Sequence, residues 1–118
     1  MSIGTKIVAL LSPLVAGRVF PDRAPFGTAR PYVTYQQIGG HVVIPLAKEV
    51  ADVENGFIQV NVWCDRRTDA DALANQVEAA LITAEVFNAK PMAGQISTSD
   101  EELDRYGKQQ DFSIWSAR

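Results

Sequence analysis

The sequence predicts an α+β domain, with a mostly antiparallel sheet of about four strands and two helices packed on one face. The central observation is the segment Phe57–Cys64, which has the alternation of a strand and places Ile58, Val60, Val62 and Cys64 on one face. An apolar stripe at helical spacing follows directly, formed by Leu73, Val77, Ala80, Leu81 and Ala84. Further strand-like segments flank this unit, so we expect the helix to lie across a sheet.

The first third of the chain reads as a helix followed by strands. Apolar residues recur at helical spacing from about Ser2 to Ser12, and Ser2 can cap the first turn. Pro13 either ends this helix or begins a distorted last turn. Val19–Phe20 is a candidate edge strand, and Tyr32–Ile38, which is rich in β-branched and aromatic residues, is predicted to be the first main strand.

A long connection is predicted between the first main strand and the central one. Gly39-Gly40 is expected to turn or bulge the chain, and residues 41–44 are a candidate extension of the strand. Polarity rises from Pro45 to Gly56, where Asn55-Gly56 is a strong turn signal. Long ordered connections often contact a partner, whereas others are simply mobile, and both interpretations remain open.

The second half is predicted to contain one helix and two strands. Thr68, with Asp71 three residues later, is expected to cap the start of the helix. A connection is predicted over 87–92, a strand over 92–98 and a polar loop up to Gln109. The last strand is predicted over 110–116, with Phe112 and Ile114 facing the core and Trp115 facing away.

Composition indicates one ordinary globular domain. The 118 residues are 47% hydrophobic and 21% charged, and no apolar run approaches the ~20 residues of a membrane span. The net charge is -3 and the basic residues are scattered, which disfavours nucleic-acid binding. The acidic segment 100–104 is expected to be a solvated loop. The region before Pro13 lacks the features of a signal peptide, so we expect a cytoplasm-like compartment.

Motifs that carry chemistry are nearly missing from the sequence. The single histidine, His41, and the single cysteine, Cys64, have no metal-ligand spacing, and no phosphate-binding glycine loop occurs, so no cofactor or metal is expected. Cys64 is expected to be a small buried side chain, although a nucleophilic Cys64–His41 pair is formally possible. Trp63 and Trp115 are expected to face away from the helices, where they contact another subunit or are covered by loops of the same chain.

The order and spacing of several segments resemble the small tail-completion proteins of long-tailed bacteriophages and prophages. The resemblance extends over essentially the whole chain, and no single motif in it is specific. The segments that carry it are Leu10–Pro21, Pro31–Tyr35, Ile58–Trp63, a helix with Ala72, Ala74, Val77 and Leu81, and Asp111–Trp115.

This resemblance implies a structural protein of the virion tail and not an enzyme. It implies a homo-oligomeric ring, expected to be a hexamer, that is assembled in the host cytoplasm, caps the head-proximal end of the tail tube and joins it to the head. The partners would be other copies of the chain, the tail tube protein and a head-completion or connector protein. Neither a membrane nor a specific nucleic-acid sequence is implied as a partner.

We expect the assembly surfaces to involve aromatic residues and the long connection. The hypothesis places Tyr35, Trp63 and Trp115 at or near a subunit contact, and the loop residues Lys48, Glu49 and Asp52 on a partner or lumen surface. The alternatives are a small adaptor that pairs an incoming strand with the sheet edge, and an enzyme that uses Cys64.

Overall fold

A computed structural model describes residues 1–118 as two helices on one face of a six-stranded sheet. The helices are α1 (Ile3–Leu11) and α2 (Arg67–Ile82). The strands are β1 (Val19–Pro21), β2 (Tyr32–Gly39), β3 (Val53–Cys64), β4 (Asn88–Pro91), β5 (Ile96–Asp100) and β6 (Arg105–Ala117). Neither helix is long and apolar enough to cross a membrane.

The sheet is mixed and larger than the sequence predicts. Its order is β1-β2-β3-β6-β4, with β5 also paired to β6, and all pairs are antiparallel except the parallel pair β1–β2. The α+β class is confirmed, but the expected number of about four strands is too low. The 13-residue strand β6 is long enough for β4 and β5 to pair with different parts of it, so two short strands share one partner.

The core lies between the helices and one face of the sheet. All four predicted inward residues of β3 are buried, and so are Phe112 and Ile114 of β6. On the helices, Ile7, Leu11 and Leu81 are completely buried. Each such side chain contributes about 1.5–3 kcal/mol relative to an exposed position. The predicted inward faces of the central and last strands are therefore confirmed.

The two helix starts have different physical origins. The Ser2 hydroxyl accepts a hydrogen bond from the Thr5 amide at 3.1 Å, which confirms the predicted cap of α1. Pro13 lies in the first turn of a short 3-10 helix, Ser12–Leu14, that follows α1. The predicted cap of α2 at Thr68 is wrong, because the helix begins at Arg67 without a side-chain cap. The Arg67 guanidinium donates to the carbonyls of Thr98 and Gly107, and these contacts attach the start of the helix to the sheet.

The predicted turn at Asn55-Gly56 is also wrong, because both residues lie inside β3. The Asn55 amide is buried and donates to the Ile114 carbonyl and the Ser113 hydroxyl, each at 3.1 Å. Its oxygen accepts the backbone N–H of His41 at 2.8 Å. These partners satisfy the amide within the sheet, so the local turn preference does not decide the conformation.

Boundaries after α2 differ from the predictions. The predicted connection over 87–92 contains β4, the predicted strand over 92–98 begins only at Ile96, and β6 begins at Arg105 instead of near Gln110. The inward-facing residues of the first half of β6 are polar, so the sequence there lacks the alternation of apolar and polar residues that predicts a strand. Gln110, for example, is buried because its amide donates to Glu78 and to the Ala93 carbonyl. Residues 41–44 form no strand, and the pairing of β2 with β3 shifts register between Gln37 and Gly39, beside the turn or bulge expected at Gly39-Gly40.

Candidate assembly surface

Both tryptophans lie on the face of the sheet that the helices leave uncovered. Trp63 is paired with Tyr32 on β2 and Gly107 on β6, whereas Trp115 is paired with Asn55 on β3. Their predicted orientation away from the helices is confirmed. Because Trp115 lies eight positions after Gly107 on β6, the backbone positions of the two tryptophans are about 27 Å apart. They therefore mark opposite ends of this face.

At one end, Trp115 belongs to an aromatic cluster with His41 and Phe57. The His41 ring is stacked on Trp115, with centroids 6.3 Å apart and planes at 14°, and it meets Phe57 edge-on at 5.2 Å. Trp115 remains 40% exposed. The cluster and the hydrogen bond from His41 to Asn55 fix the chain where it leaves the sheet.

Beyond this cluster the chain forms an extended projection over residues 40–52, here called the arm, which contains no helix or strand. A turn in which the Lys48 amide donates to the Pro45 carbonyl places Leu46 at its tip. Apolar side chains on the arm are strongly exposed, namely Val42 (85%), Ile44 (79%), Leu46 (fully) and Val50 (74%). Lys48, Glu49 and Asp52 are exposed as well, and none of them forms a salt bridge. The molecule measures 52 × 26 × 24 Å, so it is elongated.

At the other end, Trp63 lies in an open cavity of about 1070 Å³, here called the cleft, between the loop 22–30 and the sheet. The Arg105 guanidinium is stacked 4.1 Å above the Trp63 ring, and it donates to the Tyr32 hydroxyl and to Asp100. Arg30 binds Asp65 at 2.7 Å and the Leu103 carbonyl at 2.8 Å. The cleft is therefore a preformed site with an aromatic floor and arginine walls.

The loop over the cleft carries Phe26, which is 99% exposed. Its neighbour Gly27 has a φ of +80°, a conformation that glycine adopts without strain. A fully exposed phenylalanine on a turn leaves its whole apolar surface in water. The cleft therefore has an apolar rim that no part of this chain covers.

Tyr35 lies on the opposite side of the sheet from the two tryptophans. It is paired with Val60, and its ring and hydroxyl lie about 3 Å from the Cβ position of Gly4 in α1. Burial, and to a smaller extent the charge of Asp22, raises the pKa of Tyr35. The structure thus separates Tyr35 from Trp63 and Trp115, which it leaves on one face.

Cys64 and His41 are too far apart to react together. Cys64 is buried at the end of β3, and burial followed by the charges of Asp69 and Asp65 raises its thiol pKa to about 11. His41 lies beside Asn55, nine residues away along the same strand, which corresponds to about 30 Å. The predicted burial of Cys64 is confirmed. No three side chains of His, Cys, Asp or Glu are grouped so that they could hold a metal ion.

The family model described as tail completion protein gp17 matches residues 5–115. The chain belongs to this family. This tail completion protein is a structural protein of the phage virion tail. Its fold is similar to that of a chain in a structure titled the virion of a native gene transfer agent particle, with a TM-score of 0.56 and 19% identity. That match covers 95% of this chain and 84% of the other. No curated protein matches the chain.

Sequence reasoning missed several residues of these surfaces in the tail completion protein. Phe26 was hidden in a segment whose prolines and glycines indicate only a turn. The alternation of Val42, Ile44 and Leu46 resembles a strand extension, because an exposed extended segment has the same period as a paired strand. Arg105 lies in a segment that reads as a polar loop. No signal in the sequence indicates that it stacks on Trp63.

Proposed function

We propose that the tail completion protein closes the head-proximal end of the tail tube as a hexameric ring and joins the tail to the head. The observation that carries this proposal is the family match over residues 5–115, which covers nearly the whole domain. The one thiol of the domain is buried and distant from its one histidine, so these two residues do not form a nucleophilic pair. Its uncovered features are surfaces, which suit an assembly role.

The placement of these surfaces supports a ring. The arm begins at Gly40, beyond one end of β2, whereas Tyr32 at the other end of β2 lines the cleft. A contact between two different surfaces of identical subunits is heterologous, and such contacts close into a ring when the rotation between subunits is suitable. A two-fold dimer would instead require one surface that is complementary to itself.

The exposed residues also provide surfaces for the tail tube protein and the head-completion or connector protein. Trp115 offers an apolar ring next to the base of the arm, where Asp52 also lies, and Lys48 and Glu49 offer charges near its tip. Trp63 lies in the cleft at the opposite end, where Arg105 covers one face of its ring. We propose that Trp63, Trp115 and the arm contribute to contacts within the ring or with its neighbours, and that Tyr35 stabilises α1 against the sheet.

Electron microscopy of an induced lysate tests the proposal, with the gene deleted from its parent phage or prophage and restored in a complemented control. We expect full heads without tails beside tails of irregular or excessive length. The complemented strain should produce joined particles. Joined particles of normal length from the deletion strain would overturn the completion role.

A further inference from the structure

We propose that the arm of each subunit inserts into the cleft of the neighbouring subunit and that this contact holds the ring together. The inference rests on the proposed ring and specifies which two surfaces meet. The occupant of the cleft is therefore a second copy of this chain, in particular the tip of its arm around Leu46.

The arm exposes apolar surface that no other part of the chain covers. Its four exposed aliphatic side chains present roughly 250–500 Å², at about 60–120 Å² each. A standard interface buries about 800 Å² per partner, of which somewhat more than half is apolar. The arm alone can thus supply the apolar part of such an interface. Its backbone also makes few hydrogen bonds within the chain, so its amides and carbonyls are free to pair with a partner.

The cleft has the size and chemistry to receive this tip. Its volume of about 1070 Å³ is slightly above the range of small-molecule pockets in proteins, which leaves room for a segment of chain. Phe26 and Leu103 form exposed apolar walls, and Trp63 forms the floor. Asp100 and Asp65 hold the Arg105 and Arg30 side chains in place before any partner arrives.

The arm lies at the opposite end of its own subunit from the cleft. Gly39 at the base of the arm and Tyr32 in the cleft are seven residues apart on β2, which corresponds to about 23 Å. The stacking of His41 on Trp115 fixes the arm at the end of the sheet that lies away from the cleft. The partner must therefore be another molecule, and the contact is head-to-tail.

One arginine of the cleft that has no ion-pair partner favours the same pairing. The arm contains Lys48, Glu49 and Asp52, so its formal charge is -1. The lining of the cleft includes three arginines and Asp22. Asp65 and Asp100 already neutralise two of these arginines, but Arg23 is exposed and forms no salt bridge. Glu49, near the tip of the arm, is thus free to pair with Arg23 of the neighbouring subunit.

Crosslinking in assembled particles tests the contact. The deletion strain is complemented with the Leu46→Cys/Phe26→Cys variant, and its particles are treated with a short bismaleimide. Cys64 does not interfere, because it is buried. We expect a ladder of crosslinked subunits that extends to the closed ring. The matched control Leu46→Cys/Met92→Cys, whose Met92 is half exposed outside the cleft, should give no ladder.

The outcomes separate this inference from the proposed function. Joined particles that give no ladder, an equal ladder from the Met92 control, or a crosslink from Leu46→Cys to a different virion protein would each overturn the arm-to-cleft contact. None of these results would affect the completion role. Joined particles from the uncomplemented deletion strain would instead overturn the completion role itself.

A charge exchange provides a second measurement. Arg23→Glu or Glu49→Arg alone is expected to weaken each contact about twofold to fivefold, compounded around the ring, and to lower the yield of joined particles. The double variant restores an attractive pair and should recover most of the yield. A double variant whose loss equals the sum of the two single losses would overturn the pairing.

Discussion

Gly107 lies on β6 in close contact with β3 and β5, and a single added methyl group tests how tightly the sheet is packed there. A Cβ at this position would lie 2.5 Å from the Thr98 hydroxyl, 2.8 Å from the Val62 carbonyl oxygen and 2.9 Å from the Trp63 ring. Gly107→Ala therefore creates three contacts below 3.0 Å at once. The Thr98 side chain can rotate, but the Val62 carbonyl belongs to the backbone of the central strand.

The expected cost follows from these contacts. Overpacking a well-packed site costs about 1–3 kcal/mol, and the backbone contact with Val62 places Gly107→Ala in the upper half of that range. A domain of this size has a free energy of unfolding of about 5–15 kcal/mol. With a urea m-value of about 1.5 kcal/mol/M, a loss of about 2–3 kcal/mol lowers the midpoint by roughly 1.3–2 M. The variant should therefore fold but unfold much earlier.

Urea titration followed by tryptophan fluorescence measures this change, because Trp63 reports directly on the site. Gly94→Ala is the matched control, since an added Cβ there meets nothing within 4 Å. The control should have a midpoint equal to or slightly above that of the unchanged protein, because alanine reduces the entropy of the unfolded chain. Equal midpoints for Gly107→Ala and Gly94→Ala would refute the close packing of the three strands.

Three further predictions concern the cap, the buried amide and the thiol. Ser2→Ala should lower the free energy of unfolding by about 1 kcal/mol, because the first turn of α1 loses its cap, whereas Ser99→Ala should have little effect in thermal unfolding by circular dichroism. Asn55→Ala should cost about 1–3 kcal/mol in urea titration, because buried partners on β6 and at His41 lose their hydrogen bonds. The exposed Asn88→Ala is its control, and equal midpoints would contradict this role. The folded state holds the Cys64 thiol proton more tightly than the unfolded state, so the protonated thiol contributes to the free energy of unfolding. This contribution is fully present below pH 9.0 and declines as the pH rises to about 11. Cys64→Ala should lack this decline, and labelling of Cys64 by a thiol reagent that reaches its full rate near neutral pH would show the thiol to be activated.

The features that the sequence predicts correctly depend on neighbouring residues along the chain. The alternation in Phe57–Cys64 and the helical stripe that follows require only local backbone geometry and the burial of one face. The Ser2 cap depends on contacts within one turn, so it was predictable as well. The burial of Cys64 followed from its position on the apolar face of the strand.

Predictions failed where a distant segment supplies the deciding contact. Asn55-Gly56 has the chemistry of a turn, but carbonyl and hydroxyl groups of β6 satisfy the Asn55 amide inside a strand. Arg67 begins α2 because it reaches two carbonyls on β5 and β6. Both cases follow from hydrogen bonds between residues more than thirty positions apart, for which a local pattern contains no information.

The features of the candidate surfaces also fall into two groups, those that the sequence predicts and those that depend on contacts between distant segments. The sequence alone determined the fold class, the outward direction of Trp63 and Trp115 and the resemblance to tail completion proteins, because each depends on residue type and spacing. The tertiary structure decided that Tyr35 lies on the other face, that Arg105 covers Trp63 and that the arm and the cleft lie at opposite ends of the sheet. The physical reason is that strand register and loop path, which bring distant residues together, are set by the packing of the whole chain.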